Sequence, residues 1–341
     1  MDLGWLEHRA QRVYGCVDTN AAPDYQVHSM IGLRSQGLAL CAVLVVTFAS
    51  AGCNLTSILI KGTVDGTHDF TEAKGGEFAD PEMVGPVVAA GVVTAEGSLY
   101  FVPEYEPLLT AAIFSNVAYG VGWLSAAAND AELAGKYDDV ERLNKRAGIL
   151  YARALQLTKR MLRLRDDGFD AAMAGGIESF RTWIDDNFYE KDDATVMLTA
   201  GTAYFVSMLK SEEGLAASVD IPYARYMIEK SVELDPELSG SQGLAILGTY
   251  WCTVPAMVGG NPQLGLELMH RAMAITKRGN HSIMISTAER CATALQNRKM
   301  FQDLLTEVIE AGDVPKYRLA NKLARHQAER LLKQINDLFY D

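Results

Sequence analysis

Residues that carry chemistry are scarce in this chain. Six histidines and five cysteines are spread over 341 residues, and none stands at metal-ligand spacing from a second His, Cys or carboxylate. Of the histidines, His270 and His326 fall in expected helices as ordinary imidazoles. Neither a GK[ST] phosphate loop nor a GxSxG nucleophile turn occurs, and Gly120-x-Gly122 and Gly259-Gly260 follow no strand. The acidic pairs Asp166-Asp167, Asp185-Asp186 and Asp192-Asp193 lie at expected helix ends, where Asp caps and solvates. An enzyme is therefore not expected, and no cofactor or metal is either. Basic charge is also short: 31 Lys and Arg face 43 Asp and Glu, a net charge of −12. That balance excludes nucleic acid, which needs clustered Lys and Arg, and excludes electrostatic docking on anionic lipid.

One short apolar run, near the N-terminus, has the layout of an export signal. Within Met30 to Cys53, Arg34 precedes the uncharged stretch Leu38 to Phe48, which suits a signal peptide and is too short to span a bilayer. Ser50-Ala51-Gly52 then offers small residues just before Cys53, the expected site of lipidation. A bacterial lipobox carries a leucine-like residue where this chain has Ser50. Residues 1–29 show no periodicity, so Met30 is read as the initiator and residues 1–52 as leader and signal. The working protein is expected to begin at Cys53, outside the cytoplasm, with a net charge of −11. Residues 53–79, with Gly62, Gly66, Gly75 and Gly76, read as the anchor and a tether. As a flexible coil this tether would span roughly 25–30 Å. Of the remaining cysteines, Cys252 and Cys291 sit in apolar helical surroundings that favour buried free thiols, with one disulfide as the alternative.

From Asp80-Pro81, an N-cap followed by Pro at the first helical position, the pattern is helix after helix to the C-terminus. Helices are expected near 81–97, 104–134, 138–165, 170–188 (broken), 192–210, 221–234, 240–254, 262–277, 281–295, 298–310 and 316–339. No alternating strand pattern appears. An internal repeat runs through them. Gly120-x-x-Trp123, Gly201-x-x-Tyr204 and Gly248-x-x-Trp251 are each followed in the next helix by a small-large-small spacing. Those partners are Ala147/Tyr151/Ala154, Ala224/Ile228/Ser231 and Gly265/Met269/Ala272. Small residues let paired helices approach, and the large one fills the groove beside them. This is the tetratricopeptide (TPR) pattern. The expected fold is a single all-α TPR-like domain over 80–341, with about three to four irregular helical-hairpin pairs, an N-terminal helical extension and a C-terminal capping helix at 316–339.

In such stacks the first helix of each pair lines the concave face. The positions that follow from the motif glycines are Phe114, Val117, Val121 and Leu124; then Thr195, Leu198, Thr202 and Phe205; then Gln242, Ala245, Thr249 and Cys252. None is charged, so the expected groove is apolar with a few hydroxyls and suits a small hydrophobic ligand or an apolar partner surface. The competing expectation is that inserted segments fill the groove and these residues are plain core.

Leu234-Asp235-Pro236, then Leu247-Gly248-x-Tyr250 with Gly259-Gly260-Asn261, then Leu319-Ala320-Asn321-x-Leu323-Ala324-x-x-x-Ala328-x-x-Leu331-Leu332 occur in that order. From about Asp80 onward the chain resembles the TPR lipoprotein, or T component (TatT-like), of TPR-protein-associated TRAP transporters (tripartite ATP-independent periplasmic transporters), of spirochaete type. The resemblance implies a periplasmic, membrane-anchored lipoprotein that associates with the solute-binding P component and self-associates as a trimer. From the uncharged groove positions comes the further expectation that the protein binds or relays a small hydrophobic solute. The alternative is a TPR lipoprotein that docks or assembles other envelope proteins and handles no solute. Gly259-Gly260 is expected to turn the chain between paired helices, and Asn321 to cap or bridge within the last helix packing.

Overall fold

The computed structural model describes residues 56–66, 75–77, 80–209 and 220–339. The leader, the signal and Cys53 lie outside the described residues. Every described element is helical, with no strand among the described residues, and the fold is all-α.

Residues 56–66 form helix α1, where a coil was expected. Ile60 and Val64 pack against the N-terminal core, Lys61 lies over the Tyr105 ring, and the Tyr105 hydroxyl donates to Asp65. A 3₁₀ turn at Gly75–Glu77 precedes α2 (Pro81–Ser98). The α2 start is the one read from the sequence: Asp80 accepts from the Glu82 amide at 3.0 Å, with Pro81 beside it. There follow α3 (Glu106–Tyr119), α4 (Ala126–Leu133), α5 (Tyr137–Arg165), α6 (Phe169–Ala174), α7 (Ile177–Asn187), α8 (Asp193–Leu209) and α9 (Ile221–Leu234). The C-terminal half holds α10 (Leu238–Thr253), α11 (Pro262–Ile275), α12 (His281–Ser286), α13 (Arg298–Glu310), α14 (Arg318–Lys333) and α15 (Ile335–Leu338). Two π-helical segments, Gly120–Ser125 after α3 and Thr287–Ala292 after α12, carry those helices onward with one wide turn each.

The helices pair as α3 with α5, α8 with α9, α10 with α11, and α12 plus its π segment with α13. Each first helix also touches the first helix of the next pair, so the hairpins stack in sequence order. Missing side chains at the motif glycines set the pairing. A Cβ on Gly120 would lie 2.4 Å from the Tyr151 ring, one on Gly201 2.6 Å from Ile228, and one on Gly248 2.8 Å from Met269. These are the three glycine and large-residue partners read from the repeat. Gly259, at φ 94°, and Gly260 turn the chain between α10 and α11; a Cβ on Gly260 would strike the Val254 carbonyl.

At the start of α10 the backbone differs from a plain helix. Ser239, Gly240 and Ser241 are left-handed, at φ 49°, 66° and 62°, and regular helix begins after them. The Gly240 carbonyl accepts from Asn280 at 3.1 Å, which ties this turn to the start of α12. Asn321 of α14 accepts from the His281 amide at 3.0 Å and donates to the Gly279 carbonyl at 2.9 Å. It bridges the α11–α12 turn to the last long helix, as its position implied. Cap α14 also reaches the front of the chain: His326 meets Asp130 of α4 at 3.2 Å, and Arg318 donates to the Glu77 carbonyl at 3.2 Å.

Cys252 of α10 and Cys291 of the π segment after α12 form a disulfide. This overturns the expectation of two buried free thiols. Both neighbourhoods are apolar and helical, as read, but the third and fourth hairpins pack so that the two Cα atoms are 4.9 Å apart, within disulfide reach.

Candidate binding face

The twelve groove positions separate into three groups. Phe114, Val121 and Gln242 are exposed, the first two at 54% and 48%. Thr195, Thr202, Phe205, Ala245 and Thr249 are half-buried. Val117, Leu124, Leu198 and Cys252 are buried, and Cys252 is consumed by the disulfide, so these four are core and not groove lining. The correction has a simple cause. A first helix in the stack is covered on one flank by its own partner and on another by the next hairpin, and the sequence spacing does not say where that second cover falls.

Some of these residues are brought together. Leu198 joins Ile228 and Leu247 in a small cluster between the second and third hairpins. Phe205 packs on both that cluster and the N-terminal core, with its ring 5.9 Å from Tyr250. Arg225 covers the outer side of this group, its guanidinium 5.9 Å from the Tyr250 ring and 5.4 Å from Trp251, and is paired with Glu229 at 3.2 Å. Thr202 turns its hydroxyl back to the Leu198 carbonyl at 2.7 Å, so the hydroxyl expected to face a ligand is engaged within its own helix. Phe114 and Val121, seven residues apart and thus on one face of α3 and its continuation, are the exposed apolar part.

A second concavity was not foreseen. An open cleft of about 570 Å³ lies between the α11–α12 turn and α13, lined by Arg278, His281, Gln302, Asp303, Thr306, Glu307, Glu310 and Ala311. It is charged, and its Arg278 is answered inside the cleft. Arg278 makes a two-pronged bond to Glu307, at 2.7 and 2.6 Å, which holds the Glu307 carboxyl below its usual range and the guanidinium charged. Burial pushes the His281 imidazole below its usual value, with Glu307 opposing and Arg325 reinforcing that shift. With Arg278 already paired, the cleft offers little to an anionic ligand. Among the described residues no group of three His, Cys, Asp or Glu could hold a metal ion.

Among the polar groups buried without a partner are Tyr204 and Asn116, in the N-terminal half. Burial pushes the Tyr204 hydroxyl far above its usual range, and Asn116 keeps an unpartnered amide oxygen inside α3 while its amide nitrogen donates to the Ala112 carbonyl at 2.8 Å.

No curated protein matches the chain in sequence. The family model for the TRAP transporter T-component matches residues 77–339, from the 3₁₀ turn ahead of α2 to Phe339 beyond α15. Because that match covers well over half of the chain and takes in every stacked hairpin, the chain belongs to the TRAP transporter T-component family.

Proposed function

We propose that this protein is a non-enzymatic, lipid-anchored periplasmic scaffold that holds the solute-binding P component of a TRAP transporter. The observation that carries this reading is the family match over residues 77–339, which makes a transporter component of the chain. The stacked hairpins, keyed by Gly120, Gly201 and Gly248, support a TPR-type stack as the binding framework. The Cys252–Cys291 disulfide supports an oxidising compartment such as the periplasm, and the signal-like run ending at Cys53 supports a lipoprotein. The partner surface is the exposed apolar part of the concave face, Phe114 and Val121, with half-buried Phe205 deeper in. Uncharged lining also suits the relay of a small hydrophobic solute, and the family resemblance adds self-association as a trimer.

The test is co-purification of the full chain, extracted in mild detergent, with the P component of its own transporter. Capture of the wild-type partner, and its loss with Phe114→Asp or Val121→Asp at unchanged thermal stability, is the expected result. Both side chains are exposed, so the substitutions leave the core alone. Failure of the wild-type chain to retain the P component, with other envelope proteins retained in its place, would overturn this reading in favour of an assembly role.

A further inference from the structure

Helix α1 begins only three residues past Cys53, and it is docked on the domain. Three residues of fully extended chain reach about 10 Å. On the lipoprotein reading above, on which this inference rests, the domain therefore cannot swing on a tether of roughly 25–30 Å. Its α1 end stands at the bilayer.

What that end presents is apolar. On α1, Ile60 and Val64 face the core while Ile58 and Leu59 are 65% and 61% exposed. Beside it runs the turn from α2 into α3. Leu99 and Val102 are buried and pin that turn, and Arg160 donates to the Pro103 carbonyl. Tyr100 and Phe101 point outward, 84% and 54% exposed, with their rings edge to face at 5.2 Å and packed on each other. Tyr105 joins the two pieces, because it ends the turn and receives α1 through Lys61, at 5.0 Å from its ring, and through Asp65. Ile58 and Leu59 lie within one turn of Lys61 along the helix, so both apolar pairs flank one fixed point.

We propose that Ile58, Leu59, Tyr100 and Phe101 form a membrane-resting face that sits in the headgroup boundary of the bilayer carrying the Cys53 anchor. Aromatic and aliphatic side chains on a rigid edge are the groups that partition there, and Tyr keeps its hydroxyl in the wet layer. The charges around the face are mixed, Lys61 with Asp65 and Glu104, so attraction to anionic lipid is not what holds it. The consequence for the transporter is orientation: the hairpin stack is presented to its partners at a set angle and height above the membrane.

The test uses the full acylated chain in phosphatidylethanolamine–phosphatidylglycerol vesicles, with and without brominated acyl chains. Phe101→Trp is compared with the wild-type chain, whose own tryptophans set the baseline. Met257→Trp serves as control, at a site 90% exposed on the α10–α11 turn. The expected result is a blue shift of the added emission and its loss in brominated vesicles for Phe101→Trp, unchanged by added salt, with neither effect for Met257→Trp. Two results would overturn the proposal while leaving the anchor intact. One is a chain that floats with the vesicles and whose added Phe101→Trp emission is not quenched. The other is a blue shift that appears without vesicles and grows with protein concentration, which assigns the face to a second copy. A chain whose mass shows Cys53 unmodified and which does not float overturns the lipoprotein reading itself, and this inference with it.

Discussion

The two halves of the stack are held by different means. The N-terminal half packs around a dense aromatic group: Phe180 lies 5.0 Å from Tyr223 and 6.1 Å from Trp183, and Phe169 and Phe188 close on Trp183 at 5.4 and 5.7 Å. Within the described C-terminal half the rings meet only as two separate pairs, Tyr250 with Trp251 at 5.0 Å and Phe301 with Phe339 at 5.1 Å, and in place of an aromatic group it has the Cys252–Cys291 staple. The difference follows from what each half must hold. Between its first and second hairpins the N-terminal half inserts α6 and α7, and large rings fill the irregular space where that extra pair meets α9. Shorter, closely spaced hairpins in the C-terminal half leave less area to bury, and a covalent link between its third and fourth first helices substitutes for it. The lesson is that one repeat pattern tolerates two cores, provided the glycine contacts that set the pairing are kept.

The comparison can be broken at either end. Phe180→Ala, at a side chain with no exposure, should cost about 3–5 kcal/mol and loosen α6, α7 and α9 first. Urea unfolding followed by hydrogen exchange reads both; equal loss of protection across α10–α13 would show that the halves are one cooperative unit. Opening the disulfide with Cys252→Ser plus Cys291→Ser releases a loop of 39 residues and should cost about 3–4 kcal/mol. Its effect should fall on α10–α13, and protection lost instead in α3–α9 would refute the division.

A finer test compares the glycine contacts. Gly201→Ala meets Ile228, whose branched side chain cannot yield, and should cost about 2–3 kcal/mol. Gly248→Ala meets the Met269 Cγ at 2.8 Å and the Gly265 carbonyl at 3.0 Å; the unbranched methionine yields more than Ile228 does, and about 1–2 kcal/mol is expected. Reversal of that order in thermal unfolding would remove the contrast between a rigid and a compliant partner. The smallest effect is that of pH at His281. Its folded pKa lies below the ordinary 6.5, so the folded chain binds fewer protons than the unfolded one. The stability this supplies is complete above pH 6.5 and is lost as pH falls from there toward the lowered value. A stability-against-pH curve should show that decline, and His281→Gln should flatten it; an unchanged curve would mean that the imidazole is not the group responsible.

Much of the stack was legible in the residues. The helix spans follow from periodicity, from Asp80-Pro81 and from the breaks, because caps and prolines act locally. Gly120 with Tyr151, Gly201 with Ile228 and Gly248 with Met269 could be paired on paper, since a backbone that approaches another helix must lack a Cβ and leaves that mark in the sequence. Of the positions read as a groove, Val117, Leu124 and Leu198 turned out to be core, because the cover given by a neighbouring hairpin is not encoded in one helix's spacing. The charged cleft at Arg278 and Glu307 went unseen, having no motif: its residues come from α11–α12 and α13, 29 positions apart. The signal and Cys53 are sequence readings alone, outside the described residues.

By itself, then, the sequence determined the all-α class, the glycine-keyed pairing and the family, all of which rest on residue types at fixed local offsets. Only the tertiary structure decided the disulfide, the docking of α1 on Tyr105, and which groove positions remain open. Each of these depends on where two distant segments meet, and that is settled by how whole hairpins pack.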